Sequence, residues 1–373
     1  MYLELSDEQS FFHETVRRFL QTEMPMSKVR ELSDSDDGVD RAWWREAANL
    51  GWCSLLVPAE LGGGSLSGRP LQDASIVAEE IGRMVSPGPF VPVNVVVNAL
   101  SRHPGPHDGV ITELVNGNAI ATWAFAESAS RWSAPELSAT AVIDGDSVIV
   151  TGHKTYVESA TIADHFLVTA RGDGGLTQVL VPRDASGMTI AANGAADLVR
   201  RFGNVRLDAV RLPRSAIVGE PGGADADVEL QLQMSIALHC AETVGVIDRV
   251  FEFTVEYAQD RYAFGRPIAS YQALKHRIAD QLLALESCKS TTEAAIDAID
   301  EESSDADRLI SVAKSYVGTK SLPLISEAVQ LHGGIGLTWE HDLHVYGRRV
   351  ALNRAMYGTP EHHRERICQL LGV

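Results

Sequence analysis

Two segments of the chain combine basic, aromatic and glycine residues at spacings suited to an anionic ligand. One is Arg261-Tyr-Ala-Phe264-Gly265-Arg266-Pro267, and the other is Gln330-Leu-His-Gly333-Gly334-Ile-Gly336. Glycines let backbone N–H groups approach a phosphate closely, and a guanidinium pairs with its oxygens. Each segment also has a plain structural reading. A helix C-cap and turn would use the same glycines, and Arg261 would then cap the helix before it. The cysteines Cys53, Cys240, Cys288 and Cys368 are scattered without a CxxC pair. That pattern is neither a disulfide framework nor a zinc site, and it reads as thiols in a reducing cytosol.

Three blocks must position these segments. The first is helical: Ser6-Asp7-Glu8-Gln9 offers an N-cap before Phe11, Phe12, Val16, Phe19 and Leu20 at helical spacing. Further helices fit Arg41 to Leu50 and Leu71 to Met84, with the Gly62-Gly63-Gly64 loop between them and Pro87, Pro89 and Pro92 closing the second. From about Ala119 the period changes to strands. Residues 139–151 predict a hairpin around Asp144-Gly145-Asp146, and 165–170, 177–182 and 205–212 read as further strands. Their turns come at the spacing of a β-sandwich or barrel. After Ala226 the chain is helical again over 228–259, 272–298 and 305–331, the last interrupted by Pro323. The acidic stretch 297–307 reads as a solvated loop or helix start. The expected units are 1–118, 119–218 and 226–373, an α+β plan of helices, β-domain and helical bundle.

Composition narrows the function. A chain of 373 residues exceeds one ordinary core. Against 32 Lys+Arg stand 50 Asp+Glu, a net charge of −18 that disfavours nucleic acid and anionic membrane surfaces as partners. A local basic pocket for a small anion remains compatible with it. The N-terminus lacks a basic n-region, and no run approaches the roughly 18 apolar residues of a membrane span, so a cytoplasmic location is expected.

The pair of glycine segments inside this plan resembles the acyl-CoA dehydrogenase family. The matching positions are Phe264-Gly265-x-x-Ile268, Gln272, Lys275-His276 and Ala279-Asp280, followed by Gln330-x-x-Gly333-Gly334-x-Gly336. Upstream, Val57-Pro58-x-x-x-Gly62-Gly63-Gly64 and Ala78-Glu79-Glu80-Ile81-Gly82 match the first domain's loop and following helix. The resemblance implies an N-terminal helical domain, a central β-barrel or sandwich, a C-terminal four-helix bundle, and FAD as cofactor. It also implies that Arg261, Phe264, Gln272, Gln330, Gly333 and Gly334 contact the ADP half of FAD belonging to a neighbouring subunit.

Several positions depart from the family pattern. The family uses a carboxylate base to remove an α-proton from an acyl-CoA thioester. The usual segment here reads Met356-Tyr357-Gly358-Thr359-Pro360, so a phenol with an ordinary pKa of ~10 stands at the base position. The alternative position, on the first long C-terminal helix, is Ser235, followed by Ile236 where the family has an arginine. Glu242 and Glu361 remain as weak candidates and read as structural. The flavin-contacting loop, close to TEPGAGSD in the family, becomes Ala126-Glu127-Ser128-Ala129-Ser130-Arg131-Trp132-Ser133. The flavin-stacking Trp becomes Tyr156, with Lys154 retained before it.

Proton-transfer and isoalloxazine positions are thus altered, whereas those reaching a neighbour's ADP moiety are kept. This pattern is similar to the partner subunit of heteromeric α2β2 acyl-CoA dehydrogenases of bacterial sterol side-chain degradation. It implies a second acyl-CoA dehydrogenase subunit in a heterotetramer acting on an acyl-CoA. The alternatives are a self-sufficient homotetramer using Glu361 or Glu242, a non-catalytic acyl-CoA-binding scaffold, and a flavin monooxygenase-like relative.

Overall fold

Ser6 begins the first helix as the sequence predicts. Its hydroxyl accepts from Gln9 N and the Gln9 side chain accepts from Ser6 N, both at 3.1 Å, completing a capping box. The computed structural model describes residues 5–128, 132 and 134–373. Helices α1 (Asp7–Glu23), α2 (Met26–Ser33), α3 (Arg41–Asn49), α4 (Pro70–Met84), α5 (Phe90–Ser101) and α6 (Asp108–Val115) make the first block. Pro92 does not end a helix as expected. It sits in the first turn of α5, where a missing N–H removes no intrahelical bond.

Strands β1 (Ala121–Ala124), β2 (Thr140–Asp144), β3 (Ser147–Glu158), β4 (His165–Gly172), β5 (Gly175–Pro182), β6 (Met188–Asn193), β7 (Phe202–Pro213) and β8 (Ile217–Val218) follow. They form one sheet in the order β6-β7-β3-β2-β4-β5-β8, with β1 parallel to β4. The predicted hairpin is present: Asp144 pairs with Ser147, and Gly145 turns at φ 60°.

The C-terminal block has α7 (Asp225–Asp260), a small hairpin of β9 (Tyr262–Ala263) and β10 (Arg266–Pro267), then α8 (Gln272–Asp300) and α9 (Ala306–His332). Two shorter helices, α10 (Leu343–Ala355) and α11 (Pro360–Leu371), complete it. Pro323 does not interrupt α9. It forfeits one backbone bond, and the buried neighbours Ser321, Leu324 and Ile325 hold the helix together across it. Within the acidic stretch, Asp300 is not merely solvated: it accepts from Leu71 N and Gln72 N at 2.9 Å and caps α4 from outside.

The central joint is the crossing of α4 and α7. A Cβ on Gly82 would lie 1.9 Å from Glu242 O, and one on Gly245 would lie 1.9 Å from Glu79 O. Only reciprocal glycines let the two backbones touch in this way. Among the described residues no helix is long and apolar enough to cross a membrane.

Candidate functional site

The structure brings the two glycine segments to one end of the helical bundle. At the close of α7 the hairpin turns on Phe264 (φ 52°) and Gly265 (φ 81°), a two-residue turn with both φ positive. A phenylalanine rarely adopts that conformation, and this one is 99% exposed. The hairpin is braced from behind: Tyr271 donates to Ala263 O at 2.8 Å, and the Arg266 guanidinium lies 4.0 Å over the Tyr271 ring. Gln272 then opens α8, exposed.

On the other side, α9 ends at His332 and the chain turns at Gly333 (φ 65°). Tyr257, one turn before Arg261, stacks on His332 at 4.3 Å and joins the two helix ends.

This end fits the pyrophosphate part of a dinucleotide. A Cβ added at Gly265, Gly333 or Gly334 would meet nothing within 4 Å, so backbone can approach a ligand there. The exposed guanidinium of Arg261 and the exposed amides of Gln272 and Gln330 have no hydrogen-bond partner among the described residues. Arg261, Arg266 and Lys275 are exposed and form no ion pair among those residues.

The two base positions also meet, in a different place. Tyr357 is 8% exposed, adopts φ 56°, and lies against Trp132 (ring centroids 4.5 Å), His239 (5.2 Å) and Trp123 (6.4 Å). Ser235, on α7, is buried beside the phenol, and its hydroxyl forms no full hydrogen bond among the described residues. Burial, with the carboxylate of Glu158 adding to it, pushes the Tyr357 phenol well above its ordinary value. A buried phenol held neutral in this way is no general base. Ile236, at the position of the family's arginine, is buried and apolar.

Neither weak candidate stands free beside this pocket. Glu361 is exposed on α11 and pairs with Arg354 at 3.2 Å and Arg364 at 3.0 Å. Glu242 is buried, with one oxygen 2.5 Å from Arg349 and the other accepting from Asn353 at 3.1 Å and Arg200 at 3.4 Å.

Sequence reasoning missed the cluster that holds Glu242. Arg349 also reaches Asp197 at 2.5 Å, and Arg200 pairs with Glu158 at 2.5 Å and His239 Nε2 at 2.6 Å. Burial works against ionised Asp197, but Arg349 and the N–H groups of Arg200 and Val199 hold it down at about 2. His239 Nδ1 donates to Ser235 O at 2.7 Å, so Nε2 accepts from Arg200. Burial and that neighbouring cation keep the imidazole neutral, well below its ordinary value. The cluster encloses only about 10 Å3, the space of one water and no substrate. No local signal reveals it, because its charges come from separate strands, loops and helices.

In the β-domain, Lys154 is fully buried and turned inward, donating to Glu127 at 2.7 Å and Phe125 O at 3.0 Å. Burial draws its ammonium down to about 8, against the pull of Glu127. Glu127 also accepts from Ser138 N and Ala139 N at 2.8 and 3.0 Å, tying the start of the altered loop to the entry of β2. Ala129, Ser130, Arg131 and Ser133 of that loop lie outside the described residues. Tyr156, at a bulge of β3, has φ 53° and is 54% exposed, with its ring presented outward.

Comparison with known proteins identifies the family. Family models match in chain order: acyl-CoA dehydrogenase N-terminal domain over residues 6–105, middle domain over 122–210 and C-terminal domain over 223–371. The chain is 30% identical to acyl-CoA dehydrogenase IpdE2 of Mycobacterium tuberculosis, over 95% of this chain and 94% of that protein. The ChsE4-ChsE5 complex from Mycobacterium tuberculosis superposes with a TM-score of 0.88 at 25% identity, covering 100% of this chain and 99% of that one. A variant of the Tcur3481-Tcur3483 steroid ACAD gives 0.88 at 27% identity, covering 98% of each chain. With its helical, β-sheet and helical blocks in this order, the chain belongs to the acyl-CoA dehydrogenase family of FAD-dependent oxidoreductases.

Proposed function

We propose that this chain is the partner subunit of a heteromeric acyl-CoA dehydrogenase, supplying the ADP-binding half of an FAD site whose catalytic half belongs to a second family member. The observation that carries the reading is the contrast between its two sites. Tyr357, which lies against Trp132, and Ser235, at the base positions, are buried, and neither is a carboxylate. Arg261, Phe264, Gln272, Gln330, Gly333 and Gly334 are all exposed at the other site. The units 1–118, 119–218 and 226–373 then act as one frame that presents this end to the partner.

When bound, FAD supplies the acceptor for the hydride that leaves the acyl β-carbon. The chain's own residues bind and orient. Arg261 would set a guanidinium against the pyrophosphate, and the open backbone at Gly334 would let the same oxygens approach, whereas the Gly333 N–H already closes α9 on Gln330 O and Val329 O. Gln272 and Gln330 add amide donors, and Phe264 packs against the cofactor's apolar face. The description of one similar structure as a steroid ACAD favours a steroid-derived acyl-CoA as substrate. The self-sufficient alternative lacks support, since Glu242 is held by two arginines and Glu361 lies on the surface.

The test compares the chain purified alone with the chain co-expressed with the family member encoded beside it. Alone it should be colourless and inactive on acyl-CoA thioesters. In the complex, Arg261→Ala should lower flavin affinity about tenfold or more, the effect of a lost charge-assisted contact. A yellow, active lone chain would overturn the reading.

A further inference from the structure

We propose that Tyr257 and His332 are positioning residues for the nucleotide site: their stacked rings fix the spacing between the Arg261–Gly265 hairpin and the Gly333–Gly334 turn, and with it the affinity for a nucleoside diphosphate. The inference rests on the reading above that these two segments hold the ADP half of FAD. Tyr257 lies on the last turn of α7, immediately before Arg261, and His332 is the last residue of α9, immediately before Gly333. Their rings stand 4.3 Å apart at 23°. The Tyr257 hydroxyl donates to His332 O at 3.3 Å, a carbonyl that has no acceptor role left within α9.

The imidazole is itself held from two further sides. Its Nδ1 donates to Ala328 O at 2.8 Å, which fixes the ring against its own helix. His341 meets its edge at 4.7 Å and 66°. Phe253, one turn before Tyr257 on the same face of α7, touches His332 at 5.7 Å and His341 at 5.8 Å. Two rings of α7 therefore pack against two imidazoles, one at the end of α9 and one beyond it. His332 is 4% exposed, so it acts on the ligand only through the turn that follows it.

In the co-expressed complex stripped of flavin and titrated with FAD, Tyr257→Ala should raise the dissociation constant about five- to tenfold, the worth of one aromatic stack. Tyr257→Phe keeps the ring and should stay within about twofold of the parent, because only a long hydrogen bond is lost. His332→Ala should lose at least as much as Tyr257→Ala, since it also removes the contacts with Phe253 and His341, and the double variant should be no worse than His332→Ala because the stack is shared. The KM for acyl-CoA should not change. In the purified chain, Tyr257→Ala should speed hydrogen exchange at the amides of 333–337 while the middle of α9 stays as in the parent.

Parent-like exchange and FAD affinity in Tyr257→Ala, or additive losses in the double variant, would overturn the proposal. If Arg261→Ala leaves FAD affinity unchanged, the nucleotide-site reading fails instead, and the exchange measurement still decides whether the rings set the turn.

Discussion

Tyr357 stands where a base would have to stand, and its surroundings matter as much as its chemistry. Trp132, Trp123 and His239 press on the ring, and Glu158 adds negative potential. A carboxylate placed there would be buried beside another carboxylate and would remain protonated near neutral pH. Tyr357→Glu should therefore confer no acyl-CoA dehydrogenation on the lone chain and should cost stability by about 1–3 kcal/mol, read as a lower denaturation midpoint. Turnover by that variant would show that only the side chain, not the pocket, had been lost. That neither position carries a carboxylate was legible in the sequence, from the identities of Tyr357 and Ser235. The locking of Glu242 was not: Arg200 and Arg349 lie 42 and 107 residues away from it in the chain, and only the fold joins them.

At the scale of elements, α7 does most of the positioning. Its middle carries Ser235, His239 and Glu242, its last turn carries Tyr257, and its end delivers Arg261. The reciprocal glycines Gly82 and Gly245 set its height against α4. Gly245→Ala would drive a methyl group into the backbone oxygen of Glu79, which no rotamer can relieve, so the helices must part. Overpacking of this kind costs about 1–3 kcal/mol or more, and urea unfolding should show a correspondingly lower midpoint in Gly245→Ala. An unchanged midpoint would mean that the crossing is loose. The long helices and the Asp144–Asp146 hairpin were legible because their periodicity is sustained. The short strand β1 and the largely exposed β6 were not, since four buried residues or six half-exposed ones carry no clear period. Pro92 and Pro323 misled for a related reason: proline breaks a helix only where its missing N–H or its ring has nothing else to accommodate it.

Over the whole molecule, polarity is divided between two ends of one frame. The net charge of −18 disfavours polyanions, yet Arg261, Arg266 and Lys275 are exposed on the segment that leaves the Tyr257–His332 joint. Inside, by contrast, Tyr357 is buried against aromatic rings, and the separate cluster of buried ion pairs leaves about 10 Å3. That division is what the proposed mixed assembly requires. Flavin counting tests this most directly: FAD absorbance against protein concentration in the purified complex of this chain with its co-expressed catalytic partner. Half as many flavins as polypeptide chains is the predicted result, and equal numbers of flavins and chains would contradict it.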